Sequence, residues 1–356
     1  MSSTILICDD SAMARKQLGR ALPSDLDATV SFAQHGEEAL TALNKGEGNY
    51  LFLDLTMPVL DGYGVLNAIR EQGIQSKVIV VSGDIQPKAR ERVQKLGALG
   101  FIKKPASAET LANIVDQLGI PRKKPATESA HSPPSPDTGD DTDKQTPDNL
   151  QNLAEQFVEK TDYIDAYREI TNVAIGRAAD LLARLLDVFV VMPVPRVNLI
   201  EVSELQMALT HSDKDDSCSA ICQGFIGAGI AGEALLIFHD SSYQDIARKM
   251  GYSDEIDAHT EMEVLMDVAN IMIGACLKGL ENQLDLTFSQ SHPKVLGQHL
   301  NVSQILTVNT KDRWQKTLAI ELGFSVEGLN IECDLLLLIT EQSVAFLNER
   351  IGYLVE

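Results

Sequence analysis

The chain has 356 residues, room for two or three separate cores, with 44% apolar and 23% charged residues and a formal charge of −21. So acidic a surface repels phosphate backbones and anionic lipid headgroups, and the densest basic run, Arg122–Lys124, is too short to make a patch, so neither nucleic acid nor a membrane is expected as a partner. No apolar run reaches membrane-span length and no signal-peptide pattern opens the chain; Cys8, Cys218, Cys222, Cys276 and Cys333 sit mostly inside apolar runs with no C-x-x-C, so free thiols in a reducing cytoplasm are expected.

Residues 1–120 alternate short apolar runs with amphipathic helical patterns. The runs fall at 4–8 (TILIC), 50–53 (YLFL), 77–81 (KVIVV) and 99–102 (LGFI), with a further strand near 28–32. Helical patterns lie at 36–46, 62–71 and 107–118. Buried strands alternating with helices predict an α/β domain with a doubly wound, five-stranded parallel sheet. Residues 121–149 are rich in Pro, Ser, Thr and Asp and nearly devoid of apolar residues, which predicts a disordered linker.

Residues 150–356 open with helical periodicity to about 190. Strand signals follow near 196–203, 218–226 and 230–238, then helices at 242–251 and 256–283. Further strands are expected near 286–291, 302–308, 316–325 and 331–339, with a closing helix at 341–351. This half contains an internal repeat. Asp165, Glu169, Asn172, Gly176 and Pro195 recur as Glu263, Asp267, Asn270, Gly274 and Pro293, each at an offset of 98. The expectation is a pseudo-symmetric α+β domain with two long motif helices packed on a sheet. The i, i+4, i+7 spacing puts each acid–acid–amide set on one helix face, with Ile170, Val173 and Ala174, or Val264, Val268 and Ile271, opposite. Such a stripe is usually a solvated face. Its recurrence at one offset shifts the balance towards a preserved site.

In the first domain Asp9 and Asp10 end the first strand, Asp54 the third and Ser82 the fourth, and Lys104 follows the last. The carboxyl ends of parallel strands form a ligand crevice, so these side chains converge. Clustered carboxylates need a cation, and hard oxygen ligands beside a phosphoryl group suit Mg²⁺. A carboxylate nucleophile, a metal, a hydroxyl and an ammonium are the recurring parts of phosphoryl transfer.

The segments ILICDDS, LFLDLTMPVLDG, VVSGD and FIKKP, in this order, resemble the CheY-like response-regulator receiver family over residues 1–120. The resemblance implies that Asp54 is phosphorylated, that Asp9, Asp10, Asp54 and the Thr56 carbonyl bind Mg²⁺, and that Ser82 and Lys104 contact the phosphoryl group. It puts Phe101 at the switch position, where many members carry Tyr, and names a histidine kinase as donor.

The repeat resembles the CheC/CheX/FliY phosphatase family, whose signature is Asp or Ser, then Glu-x-x-Asn, then Pro twenty-three residues past the Asn. The first copy fits throughout; the second has Glu263 and Asp267 where the signature has Asp or Ser and Glu. Two sites imply the CheC-like type. By that resemblance Glu169 with Asn172, and Asp267 with Asn270, hydrolyse receiver aspartyl-phosphate, the amide orienting a water and the acid docking on a lysine. The shorter Asp267 implies a weaker second site. Open alternatives are this chain's own receiver against a separate CheY-like protein as substrate, a homodimer acting in trans, a CheD-like partner, and a non-catalytic adaptor that binds chemotaxis or flagellar-switch partners when Asp54 is phosphorylated.

Overall fold

The computed structural model describes residues 3–123, 163–201, 217–252, 257–301 and 316–355. The expected linker lies almost wholly outside these ranges, as does the strand expected near 302–308.

The first unit runs β1 (Ser3–Cys8), α1 (Ala12–Ala21), β2 (Ala28–Ala33), α2 (Gly36–Asn44), β3 (Tyr50–Leu53), α3 (Gly62–Gln72), β4 (Lys77–Ser82), α4 (Pro87–Lys95), β5 (Gly100–Lys103) and α5 (Ala108–Leu118). Its sheet is five-stranded and parallel, in the order β2-β1-β3-β4-β5. Period-two alternation sorts the apolar runs into two layers. Leu6, Leu51, Leu53, Val78 and Val80 pack on one face, and Ile5, Ile7, Phe52, Ile79 and Val81 on the other. The helices start where short polar side chains cap free N–H groups: Ser11 accepts from Ala14, Asp61 from Gly64 and Ser107 from Thr110. Left-handed Gly73 and Gly119 end α3 and α5. Residues 121–123 continue this unit rather than opening a linker. Arg122 bridges Leu26 and pairs with Asp25 and Asp116.

The second unit begins with the long helix α6 (Tyr163–Leu186), then β6 (Val190–Val191), β7 (Arg196–Glu201), β8 (Cys218–Gly227), β9 (Ile230–His239) and the short α7 (Tyr243–Lys249). It continues with a second long helix, α8 (Ala258–Leu284), then β10 (Ser289–Gln290), β11 (Lys294–Leu300), β12 (Lys316–Val326), β13 (Glu332–Thr340) and α9 (Glu341–Val355). The strand expected near 286–291 is only two residues long, and β11 was not foreseen. Eight strands form one antiparallel sheet, β10-β8-β9-β13-β12-β6, with β11 beside β8 and β7 beside β12. Each element of the first half therefore has a counterpart in the second. The halves exchange edge strands: β7 pairs with the second half's β12, and β11 with the first half's β8. Neither half completes its own sheet.

Helices α6 and α8 pack on one face of this sheet, against Ile221, Leu236, Phe238, Leu318, Leu322 and Leu335 among others. They approach closely where Gly279 meets Ala174: a Cβ added at Gly279 would lie 2.6 Å from the Ala174 Cα. Four of the cysteines are buried and Cys222 half-buried, all free. Among the described residues, no helix is long and apolar enough to cross a membrane.

Candidate functional site

Asp9, Asp54, Ser82 and Lys104 lie at the carboxyl edge of the parallel sheet, all nearly inaccessible. Asp9, Asp10 and Asp54 each offer an oxygen within 4.8 Å of the others. The Thr56 N–H donates to Asp54 Oδ2 (3.0 Å), and the Asp84 N–H to Ser82 Oγ (3.1 Å). Lys104 Nζ stands 2.7 Å from Asp9 and 3.3 Å from Asp54 Oδ1. That second contact is an ion pair without hydrogen-bond alignment, and Asp54 Oδ1 has no hydrogen bond among the described residues. Phe101 is half-buried, with the Arg90 guanidinium 5.0 Å from its ring centre.

A fourth carboxylate comes from the other unit. Glu169 on α6 lies 3.1 Å from Lys104 Nζ and is itself 6% exposed. One turn earlier, Asp165 Oδ2 accepts from the Met13 N–H (2.9 Å) and the Ser11 hydroxyl (3.3 Å). It thereby puts a negative charge at the N-terminus of α1, where the helix dipole favours it. One turn after Glu169, Asn172 is buried against Gly83, the neighbour of Ser82. Its Oδ1 meets no hydrogen-bond donor among the described residues. A further turn on, Gly176 touches Gly83 so closely that an added Cβ would lie 1.9 Å from the Gly83 carbonyl oxygen. The stripe Asp165–Glu169–Asn172–Gly176 is thus a docking face, packed over the crevice of the first unit.

The contact extends beyond the helix. The Gln86 side chain pairs with the Val190 backbone like a strand residue, donating from Nε2 (2.8 Å) and accepting at Oε1 (2.9 Å). Arg92 lies over the rings of Tyr63 (4.7 Å) and Phe189 (5.4 Å) and pairs with Glu327 (3.3 Å). Lys88 reaches Asp187 at 3.1 Å, an exposed pair worth little on its own. Sequence reasoning missed all of these, and Asp84 as well.

The second stripe is placed differently. Glu263, Asp267 and Asn270 are all exposed on α8, and a Cβ added at Gly274 would meet nothing within 4 Å. The structure therefore does not bring Asp267 and Asn270 to the crevice. Of the residues read as the apolar side of the stripes, Val173 and Ile271 are only half-buried.

Burial sets the electrostatics. It pushes the Asp10 carboxyl up to about 7, reinforced by Asp9. Asp54 and Glu169 are also raised by burial, against the lowering pull of Lys104. Burial alone would lower the Lys104 ammonium, but Asp54, Asp9 and Glu169 together hold it well above its ordinary value. Asp84 is pushed up to about 6 by burial. Four carboxylates around one ammonium leave excess negative charge in a low-dielectric site. The donors are all hard oxygens, so the residues present fit a magnesium ion.

Residues 5–116 match the family described as response regulator receiver domain. A methylesterase/glutaminase of Syntrophomonas wolfei is 32% identical over 143 residues, 36% of this chain and 40% of that protein. An uncharacterized transcriptional regulatory protein of Bacillus subtilis, YvfU, is 35% identical over 112 residues, 31% of this chain and 56% of that one. The chain thus spans about half the length of these relatives or less. The crystal structure of Thermotoga maritima FliY aligns over 55% of this chain and 99% of that one, at 20% identity and a TM-score of 0.41.

Proposed function

We infer that this chain, which carries a response-regulator receiver with chemotaxis-type relatives and so takes its phosphoryl group from a donor kinase, also removes that group itself. Asp54 is the acceptor. The second unit is a CheC-like phosphatase domain acting on the aspartyl-phosphate of its own receiver. The observation that carries this is Glu169 on Lys104 at 3.1 Å, with the buried Asn172 one turn on and its Oδ1 unmet.

Asp9, Asp10 and Asp54 would hold Mg²⁺, whose charge offsets theirs and that of the phosphoryl group. Lys104 neutralises the phosphoryl oxygens and Ser82 donates a hydrogen bond to them. Glu169 seats α6 on Lys104. Asn172 accepts a hydrogen bond from the attacking water and orients it. Water oxygen bonds to phosphorus, the bond to the Asp54 oxygen breaks, and the carboxylate is released with orthophosphate. The amide parallels the water-positioning glutamine of GTPases.

The exposed Asp267–Asn270–Gly274 face favours a second substrate, a receiver from another molecule. The full chain labelled by acetyl phosphate tests the reading. Asp54→Asn should take no label, and Asn172→Ala should hold its label longer than wild type. Equal lifetimes would favour the non-catalytic adaptor.

A further inference from the structure

Helix α6 closes the crevice so fully that Asp54 is 1% exposed, Lys104 and Asn172 4% and Glu169 6%. A phosphoryl group must still reach Asp54 and leave it. Beside the site, a cleft of about 810 Å³ runs between the units. Asp10 belongs both to the carboxylate cluster and to the cleft wall, so cleft and site meet there. Arg168, Pro195 and Arg196 form part of the opposite wall.

Arg168 is unusual in its surroundings. It is half-buried and its charge acts on the Asp10 carboxyl across the cleft, yet among the described residues it makes no hydrogen bond or close ion pair. Its neighbour in the cleft, Arg196, reaches Glu321 only at 3.6 Å. The Arg168 donors meet no acceptor among the described residues, so beside Asp10 they are free to take up the oxygens of a ligand. A planar fork of donors suits a tetrahedral phosphate oxyanion. The repeat adds an independent pointer. At the offset of 98 that relates the two helices, Arg168 corresponds to Met266. The α8 stripe is open to solvent and needs no passage, whereas the α6 stripe is covered. The cation is present only where the site is closed.

We propose that the Arg168 cleft is the phosphate-anion passage of the docked protein, admitting small acyl phosphates to Asp54 and releasing orthophosphate from it. For admission, an Asp54 carboxylate oxygen bonds to phosphorus while the acyl–oxygen–phosphorus link breaks at phosphorus. The acyl carboxylate, acetate when acetyl phosphate is the donor, leaves with the electron pair. Arg168 is a binding residue here, holding phosphate oxygens before or after they sit at Asp54. The release half rests on the phosphatase reading; the admission half does not.

The test uses the full chain with Mg²⁺, following Asp54 labelling against acetyl phosphate concentration, and separately the slowing of labelling by added orthophosphate. Arg168→Met is the main variant, since the equivalent position of the other helix already carries Met. Losing a charge-assisted contact should raise KM for acetyl phosphate about tenfold, with the maximal rate moving far less. The inhibition constant of orthophosphate should rise in similar proportion, and Arg168→Lys should recover part of both. A rise in KM alone supports admission and stands even if hydrolysis proves not to depend on Asn172. A rise in the orthophosphate constant alone supports release. If Arg168→Met changes neither while remaining folded by circular dichroism, the passage is overturned, and phosphate then travels only through the undocked protein.

Discussion

Replacing Gly176 with alanine should separate the two units without harming either. The added methyl would lie 1.9 Å from the Gly83 carbonyl oxygen and 2.7 Å from its carbon. Van der Waals contact needs roughly 3.5 Å, so α6 must retreat by about 1.5 Å. Such a shift breaks the 3.1 Å contact of Glu169 with Lys104 and the 2.9 Å bond of Asp165 to Met13. Overpacking of this kind costs about 1–3 kcal/mol, which lowers the docking constant roughly 5- to 150-fold. Alanine also raises helix propensity by about 1 kcal/mol, so α6 itself should not melt. Gly274→Ala is the matched control, because nothing lies within 4 Å of the methyl it would carry. Docking is read by energy transfer between dyes on the two units, and its consequence by the lifetime of phosphate on Asp54. Gly176→Ala should lose transfer and lengthen the lifetime, and Gly274→Ala should do neither. Unchanged docking in Gly176→Ala would refute the assignment of this contact as the seat of α6.

Glu169→Ala should slow phosphate loss about 10- to 100-fold by removing one charged contact to Lys104, and more than Asp267→Ala does; the reverse order in a lifetime assay would contradict the ranking. Stripping Mg²⁺ with EDTA should stop both the labelling of Asp54 and its loss, and turnover without metal would contradict the carboxylate site. Docking should also depend on pH. Burial at the interface raises Asp84 to about 6, and it also raises Glu169 against the lowering pull of Lys104. The docked state then binds more protons than the undocked one, so docking is favoured at low pH and weakens as pH rises through the Asp84 window near 6. Energy transfer in metal-free protein should fall from pH 4 to pH 8, and a rise would show that burial does not dominate these carboxyls.

The receiver crevice was legible because each of its residues ends a strand whose apolar run is visible, and parallel strands deliver their carboxyl ends to one edge. The repeat was legible too, down to the glycine after each asparagine. What each glycine does was not. Gly176 and Gly274 read alike, but one meets the Gly83 carbonyl and the other meets nothing. Contacts between segments that far apart leave no local period. For the same reason the sequence ranked the second acid–amide stripe weaker only by its shorter Asp267, and packing is what separates the buried Glu169 and Asn172 from the exposed Asp267 and Asn270. Exchange of β7 and β11 between the halves was hidden as well, since strand pairing across a repeat depends on which edges the helices leave free.

The most direct test follows phosphate loss from Asp54 in the full chain over a wide range of dilution, for wild type and Asn172→Ala. If α6 acts on its own receiver, wild-type loss is first-order and independent of concentration, and Asn172→Ala slows it by up to about 10²-fold. A rate that falls with dilution would move the substrate to another molecule. A rate equal in both proteins would show that Asn172 takes no part in the hydrolysis.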